Sequence, residues 1–285
     1  MHHHRNLATW VGTVLGTLCA LLLIAAQGHA ADRPGKLTEE FHQTYTLSTN
    51  GRIELENING AVHIAAWDKD EVEVDAVKYA NSKERLDEAK IKVNATKDSV
   101  SIHTEYPNHD NNWNLFGRDN PASVDYTLTV PRGARLDEIK LINGSLDIQG
   151  VTGEVRASCI NGRLSARGLH GPVALSNING STEAEFSRLK DSIELSSVNG
   201  SVELVLPSDS QAKLEASTVH GGIHNDFGLH VNNHNWIGHD LRGELGNGGA
   251  EIKLSNVNGG IEIRHASDGR QLSTPKNSDQ DKDEL

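Results

Sequence analysis

Between Glu138 and His220, apolar and polar positions alternate in short runs separated by Asn-Gly dipeptides. Ile139 and Leu141 precede the first dipeptide, Leu146 and Ile148 follow it, and Val151 and Val155 lie beyond. One unit later Ala157/Cys159, Leu164/Ala166, Leu169 and Val173 occupy the same columns. Period-2 alternation of this length predicts strands with one buried face. The Asn of each dipeptide falls at 143, 161, 179 and 199, in steps of 18, 18 and 20 residues. His220 takes the next slot after 21 residues, and Asn258 a later one after an insertion. A repeat near 20 residues points to a stacked array.

Two short strands per unit cannot bury their apolar faces alone, whereas stacking successive units about 4.8 Å apart buries a continuous aliphatic ladder. The predicted fold is therefore all-β: a parallel β-solenoid, β-helix-like, of 18–21-residue rungs with Asn-Gly corners and one short helix in the N-terminal part. A meander of antiparallel hairpins is the alternative, but it would not require the same column identities in every unit. Gly supplies the positive φ of each corner, Asn tolerates it, and stacked Asn amides can hydrogen-bond along the column. Ile142, Ile160, Ile178 and Val198 each precede a corner Asn, which suggests a corner column facing the core.

The N-terminal half carries the same design with insertions. Gly51–Ala65 repeats the strand–NG–strand unit, and Asp70–Val77 adds an alternating strand. Asn81-Ser82-Lys83-Glu84 has capping-box spacing and opens a short helix to about Lys90. Strands Ile91–Val93, Val100–His103 and Val124–Val130 follow, with Pro107–Ala122 a polar loop holding Trp113 and Phe116. The predicted organisation is a signal peptide at 1–30, a linker at 31–40, the strand-repeat body at 41–265 and a disordered tail at 266–285. Within the body, 41–137 are irregular rungs and 138–265 regular ones, interrupted by an insertion at 219–245.

Rungs of the form xLxNxNGxIxI, the strand end Val130-Pro131 and the Gly-rich late rung Gly246–Leu254 resemble one bacterial family. It is the domain-of-unknown-function family of β-strand-repeat, adhesin-like proteins related to head GIN domains. The resemblance covers most of residues 41–265 and implies the fold. It implies no catalytic residues, because the family offers none to carry over.

Composition sharpens this picture. The leader has basic Arg5, the apolar run Val11–Ala26 and a small-residue site at Gly28-His29-Ala30 before Ala31, so the chain is predicted to be exported. The run is 16 residues, short of the roughly 20 that a spanning helix prefers. Leu18 before Cys19 is too bulky for a lipidation site. Net charge is −12 for the chain, so its surface repels nucleic acid and anionic lipid. Cys159 alone remains after the leader, which excludes an intrachain disulfide and reads as a small buried hydrophobe.

Three stretches invite chemistry. Val219–Asp240 holds His220, His224, His230, His234 and His239, a metal-binding alternative set against a solvated loop in which His220 replaces the corner Asn. In the acidic run Asp68–Asp75, carboxylates alternate with Val72 and Val74 and so lie on an outward strand face. The terminal Lys282-Asp283-Glu284-Leu285 has the form of a retention signal. However, the sequons at Asn143, Asn179 and Asn199 share one crowded column where glycans would disrupt stacking. With the bacterial resemblance, the tail signal reads as coincidental.

No catalytic, cofactor-binding or metal-ligating residue is assigned. The function read from the sequence is an exported, non-enzymatic binding or structural module of the bacterial periplasm or cell envelope. Its partner would be an envelope protein or a glycan, not nucleic acid, with no transmembrane helix left after leader removal and the oligomeric state open. A polysaccharide-acting enzyme and a metal-binding protein are the alternatives.

Overall fold

The computed structural model describes residues 36–106, 122–233 and 238–277. The predicted leader, the loop with Trp113 and Phe116, His234 and the terminal KDEL lie outside the described residues. Among those described, the protein is all-β, with two long sheets of mostly parallel strands and one helix.

Sheet I runs Val231–Asn233, His239–Leu245, Ala212–His220, Ala250–Asn258, Ile193–Asn199, Val173–Asn179, Val155–Asn161, Arg135–Asn143, Arg52–Asn59, Ser99–Glu105 and Lys90–Ala95. Pro275–Asn277 also pairs with His239–Leu245. Sheet II runs Leu37–Thr46, Glu71–Ala80, Ser123–Pro131, Val62–Trp67, Leu146–Gln149, Leu164–Leu169, Thr182–Phe186, Val202–Leu206, Ile261–His265 and Ile223–Asn225. Along the chain a strand of sheet I turns at a corner glycine into a strand of sheet II, and the next unit stacks in register upon it. Thus Val173↔Ile193 and Asn179↔Asn199 pair in one sheet while Thr182↔Val202 pair in the other.

The buried faces meet as aliphatic columns. Ile139, Ala157, Leu175, Leu195, Leu254 and Ala216 are consecutive neighbours in sheet I. Val62, Leu146, Leu164, Thr182, Val202 and Ile261 face them from sheet II. All are at most 6% exposed, so the alternation read from the sequence marks the core correctly.

The corners explain why glycine recurs. Gly60, Gly144, Gly162, Gly180, Gly200, Gly221 and Gly259 all have φ between +124° and +152°. Each stacks so closely that a Cβ on Gly180 would lie 2.0 Å from the Gly162 carbonyl oxygen. The corner amide is also spoken for: Gly162 N donates to Asn179 O at 2.9 Å and Gly180 N to Asn199 O at 2.8 Å. The expected amide ladder is present. Asn143, Asn161, Asn179, Asn199 and Asn258 each donate Nδ2 to the Oδ1 of the preceding column member, beginning at Asn59, all at 2.9 Å.

Spatial order departs from sequence order at both ends. Asn258 does not follow His220; its strand lies between those of Asn199 and His220. Pro207–Gln211 makes this possible, since five residues span up to ~17 Å and two rung steps need only ~10 Å. The chain steps over one slot, and Ala250–His265 later fills it. At the other end Ser99–Glu105 lies outside Arg52–Asn59. The Gly246–Ile263 rung is therefore internal. Antiparallel strands close three of the four sheet ends: Lys90–Ala95 on Ser99–Glu105, Glu71–Ala80 on Ser123–Pro131, and His239–Leu245 on Ala212–His220, while the parallel strand Ile223–Asn225 ends sheet II. Such covers protect parallel edges from further pairing.

Ordered strands also extend beyond 41–265. Leu37–Thr46 begins inside the segment read as linker and pairs along its length with Glu71–Ala80, and Pro275–Asn277 lies inside the segment read as tail. Backbone pairing with an existing edge orders both despite their polar composition. The 219–245 insertion likewise contributes Ile223–Asn225, which continues sheet II. The helix is Lys83–Glu88, with Ser82 Oγ accepting from Arg85 N at 3.3 Å. Arg85 rather than an acid thus stands at the third position, so the capping box is only half formed.

Candidate interaction surface

The corner column of Ile58, Ile142, Ile160, Ile178, Val198, Val257 and Val219 does not face the core. Each side chain is 37–42% exposed, and together they are seven of the nine exposed large apolar side chains among the described residues. The reason is strict alternation. Cys159, Asn177, Ser197 and Asn256 take the inward phase just before, which leaves the following residue outward up to the corner itself.

That inward column is a second polar ladder, behind the first. Asn177 Nδ2 donates to Gly162 O at 2.9 Å, Asn256 Nδ2 to Gly200 O at 2.7 Å and Thr218 Oγ1 to Gly259 O at 3.0 Å. Each satisfies a corner carbonyl one rung away. Cys159 stands in the same column, buried, with its thiol 3.6 Å from Gly144 O and its pKa pushed up by desolvation. The recurring N-x-N-G at Asn57, Asn177 and Asn256 was the available signal for this role. Asn177→Leu is expected to cost about 2 kcal/mol, because the buried Gly162 carbonyl loses its side-chain partner; urea unfolding measures it.

On the outer face of sheet I three rows run side by side: the Asn ladder, the Ile/Val stripe and a row of serines. Ser158, Ser176, Ser196, Ser255 and Ser217 are consecutive register neighbours. A charged row follows, with Glu138, Arg156, Ala174, Glu194, Lys253 and Glu215 on neighbouring strands. Seven stacked strands make the stripe about 29 Å long.

The outer face of sheet II differs in chemistry. One register row reads His42, Asp75, Thr127, His63, Asp147, Ser165, Glu183, Glu203, Glu262 and His224. Its charges pair laterally: Arg167 reaches Glu183 at 2.8 Å, and Arg264 lies 3.1 Å from Glu203 and 2.7 Å from Glu262.

The chemical candidates fall into structural places. His220 occupies the corner slot opposite Asn258, His224 lies 3.4 Å from Asp226, and His239 Nδ1 is 2.6 Å from Asn233 Oδ1. His230 donates its backbone N–H to Asn277. These four histidines sit on separate segments, and none belongs to a group of three ligand atoms close enough to share a metal ion. The one such group among the described residues is His42, Glu73 and Asp75, with His42 Nδ1 2.5 Å from Asp75 Oδ1. Glu73 and Asp75 come from the acidic run, so its outward orientation is as expected; the sequence did not show that His42 pairs across to it. Ser208, His265 and Asp268 also gather, but Asp268 binds Ser208 rather than the imidazole. Ser208 Oγ is buried and donates to Ala266 O at 2.8 Å, an anchoring role with no nucleophile exposed.

Asp75 holds the His42 imidazole above its ordinary 6.5, first by hydrogen bonding and then by charge. The contact stabilises the fold fully below the unfolded value and fades as pH rises through the raised one. Proton NMR of His42 is expected to show this elevation, and Asp75→Asn to remove most of it, Glu73 supplying the smaller remainder.

The family model for Toastrack DUF4097 matches residues 48–264, and the chain belongs to that family. No curated protein matches the chain. Among solved structures, a Clostridium sporogenes protein named for an inferred role in cell adhesion is 12% identical, with a TM-score of 0.40 over 80% of this chain and 100% of its own. A Bacteroides fragilis protein named as an inferred adhesin is 13% identical, with a TM-score of 0.28 over 80% and 97%. A Parabacteroides distasonis protein named for inferred lipid binding is 10% identical, with a TM-score of 0.29 over 80% and 97%. Among the described residues, no helix is long and apolar enough to cross a membrane.

Proposed function

We propose that the two sheets are the walls of a parallel β-solenoid that serves as an exported, non-enzymatic binding or structural module of the bacterial cell envelope. Residues 1–30 provide the leader in this reading, and the strand-repeat body with its end covers provides the module. The observation that carries it is the outer face of sheet I. An aliphatic stripe seven strands long is held in fixed register by two polar ladders and the glycine corners. A stripe that is regular, rigid and apolar suits an extended contact with a protein or glycan better than conversion of a small substrate.

The test is retention of envelope components on the immobilised protein, followed by titration of the identified component, together with a glycan array. Saturable binding of one component, weakened by Ile142→Lys on the stripe, is the expected result. An extract from which nothing is retained, with a blank array, overturns the binding reading.

A further inference from the structure

We propose that the Ile/Val stripe is the interface of a symmetric homodimer, formed with a second copy of this chain about a two-fold axis parallel to the strands over Val173–Asn179. The inference rests on the reading of sheet I as a contact face and names its occupant.

Three features of the face select a second copy. The first is size matching. A two-fold axis in that position reverses the order of strands, so Ile160 meets Val198 of the second copy, Ile142 meets Val257 and Ile58 meets Val219. The larger side chains lie on one side of Val173–Asn179 and the smaller on the other, as the register dictates. Every pair is then one Ile with one Val, and only Ile178, over the axis, meets itself.

The second is charge. The same operation sets Arg156, which also pairs with Asp137 and Glu154 of its own chain, against Glu194 of the second copy, and Glu138, which also pairs with Lys140 of its own chain, against Lys253, each twice by symmetry. Glu54 opposite Glu215 is the one repulsive match in this row, and it lies at the far ends of the stripe. A closed isologous contact demands such self-complementarity.

The third is neutrality. The chain carries a net charge of −12, so two copies repel over most of their surface. Across the seven strands the serine, Ile/Val and Asn rows hold one acid and one lysine, Glu56 and Lys140, which lie 3.2 Å apart and cancel. Like-charged copies can approach there.

The dimensions set the size class of the contact. The stripe is ~29 Å long, and the five residue steps from Arg156 to Asn161 cover ~17 Å, so the two copies bury roughly 1,000 Å². That area sits at the low end for a specific contact, the range of weak and transient complexes.

Sedimentation equilibrium of protein purified after expression of the full chain is expected to show a monomer–dimer equilibrium. Ile178→Lys should raise the dissociation constant about 100-fold by opposing two charges across the axis. Glu194→Lys should also weaken the dimer, and the Arg156→Glu/Glu194→Lys double variant should restore it. All of these side chains are exposed, and circular dichroism verifies that each variant is folded. Independently, Ile178→Cys should cross-link to itself under mild oxidation, whereas Thr127→Cys on sheet II should not. A wild-type monomer at about 100 µM overturns the proposal. So does a dimer indifferent to Ile178→Lys, or a stripe that a glycan or lipid vesicle protects while the protein stays monomeric. A wild-type protein that stays monomeric can still retain an envelope component on sheet I, and a blank retention assay would leave the dimer standing, so the two readings fail separately.

Discussion

Gly180→Ala is expected to cost about 4 kcal/mol and to lower the melting temperature by roughly 8–16 °C. Two effects add. Gly180 has φ of +139°, a region essentially closed to residues with a side chain. The new methyl would also lie 2.0 Å from the Gly162 carbonyl oxygen and 2.7 Å from its carbon, both backbone atoms that are tied into the stack. The corner cannot relax alone, because Gly180 O in turn faces Gly200 and the Asn179 amide bonds both neighbours. Gly222 is the matching control. A Cβ there meets nothing within 4 Å, and Gly222→Ala should change stability by no more than about 0.5 kcal/mol. Parallel urea titrations of the two variants decide the point. An equal and small effect in both would show that the corners are not the constraint.

Leu195→Ala should cost about 3 kcal/mol. Leu195 is fully buried between Leu175 and Leu254, its register neighbours, so truncation opens a cavity flanked by the column on both sides. Ladder hydrogen bonds hold those neighbours at fixed spacing and limit collapse into the space. Calorimetry would detect the loss as a lower melting temperature. A value below about 1 kcal/mol would mean that the rungs can close around the missing atoms.

The rung was legible in the sequence because its determinants are local. Alternation at Ile139/Leu141 and Leu146/Ile148 needs only a pleated strand, and Asn143-Gly144 needs only a backbone at positive φ. Repetition of those columns then made the amide ladder foreseeable. The surface was less legible. Ile160 and Ile178 look like core residues by hydropathy, and the preceding Asn177 looks like a solvent residue. Their places are exchanged because Asn177 serves a carbonyl in the neighbouring rung, which a single unit cannot reveal. His42 and Asp75, likewise, are 33 residues apart and meet only because Leu37–Thr46 adds antiparallel to Glu71–Ala80.

The sequence by itself determined the strand, the corner and the column identities, since each depends on residues within one unit of about 20. Only the tertiary structure decided which units are neighbours. Rungs with matching columns and equal spacing are interchangeable partners, so local pattern could not place Ala250–Asn258 between Ile193–Asn199 and Ala212–His220. Chain connectivity did so, through Pro207–Gln211 and the antiparallel return of His239–Leu245. The same decision completed the outward stripe, whose Val257 and Val219 fall in line only in that order.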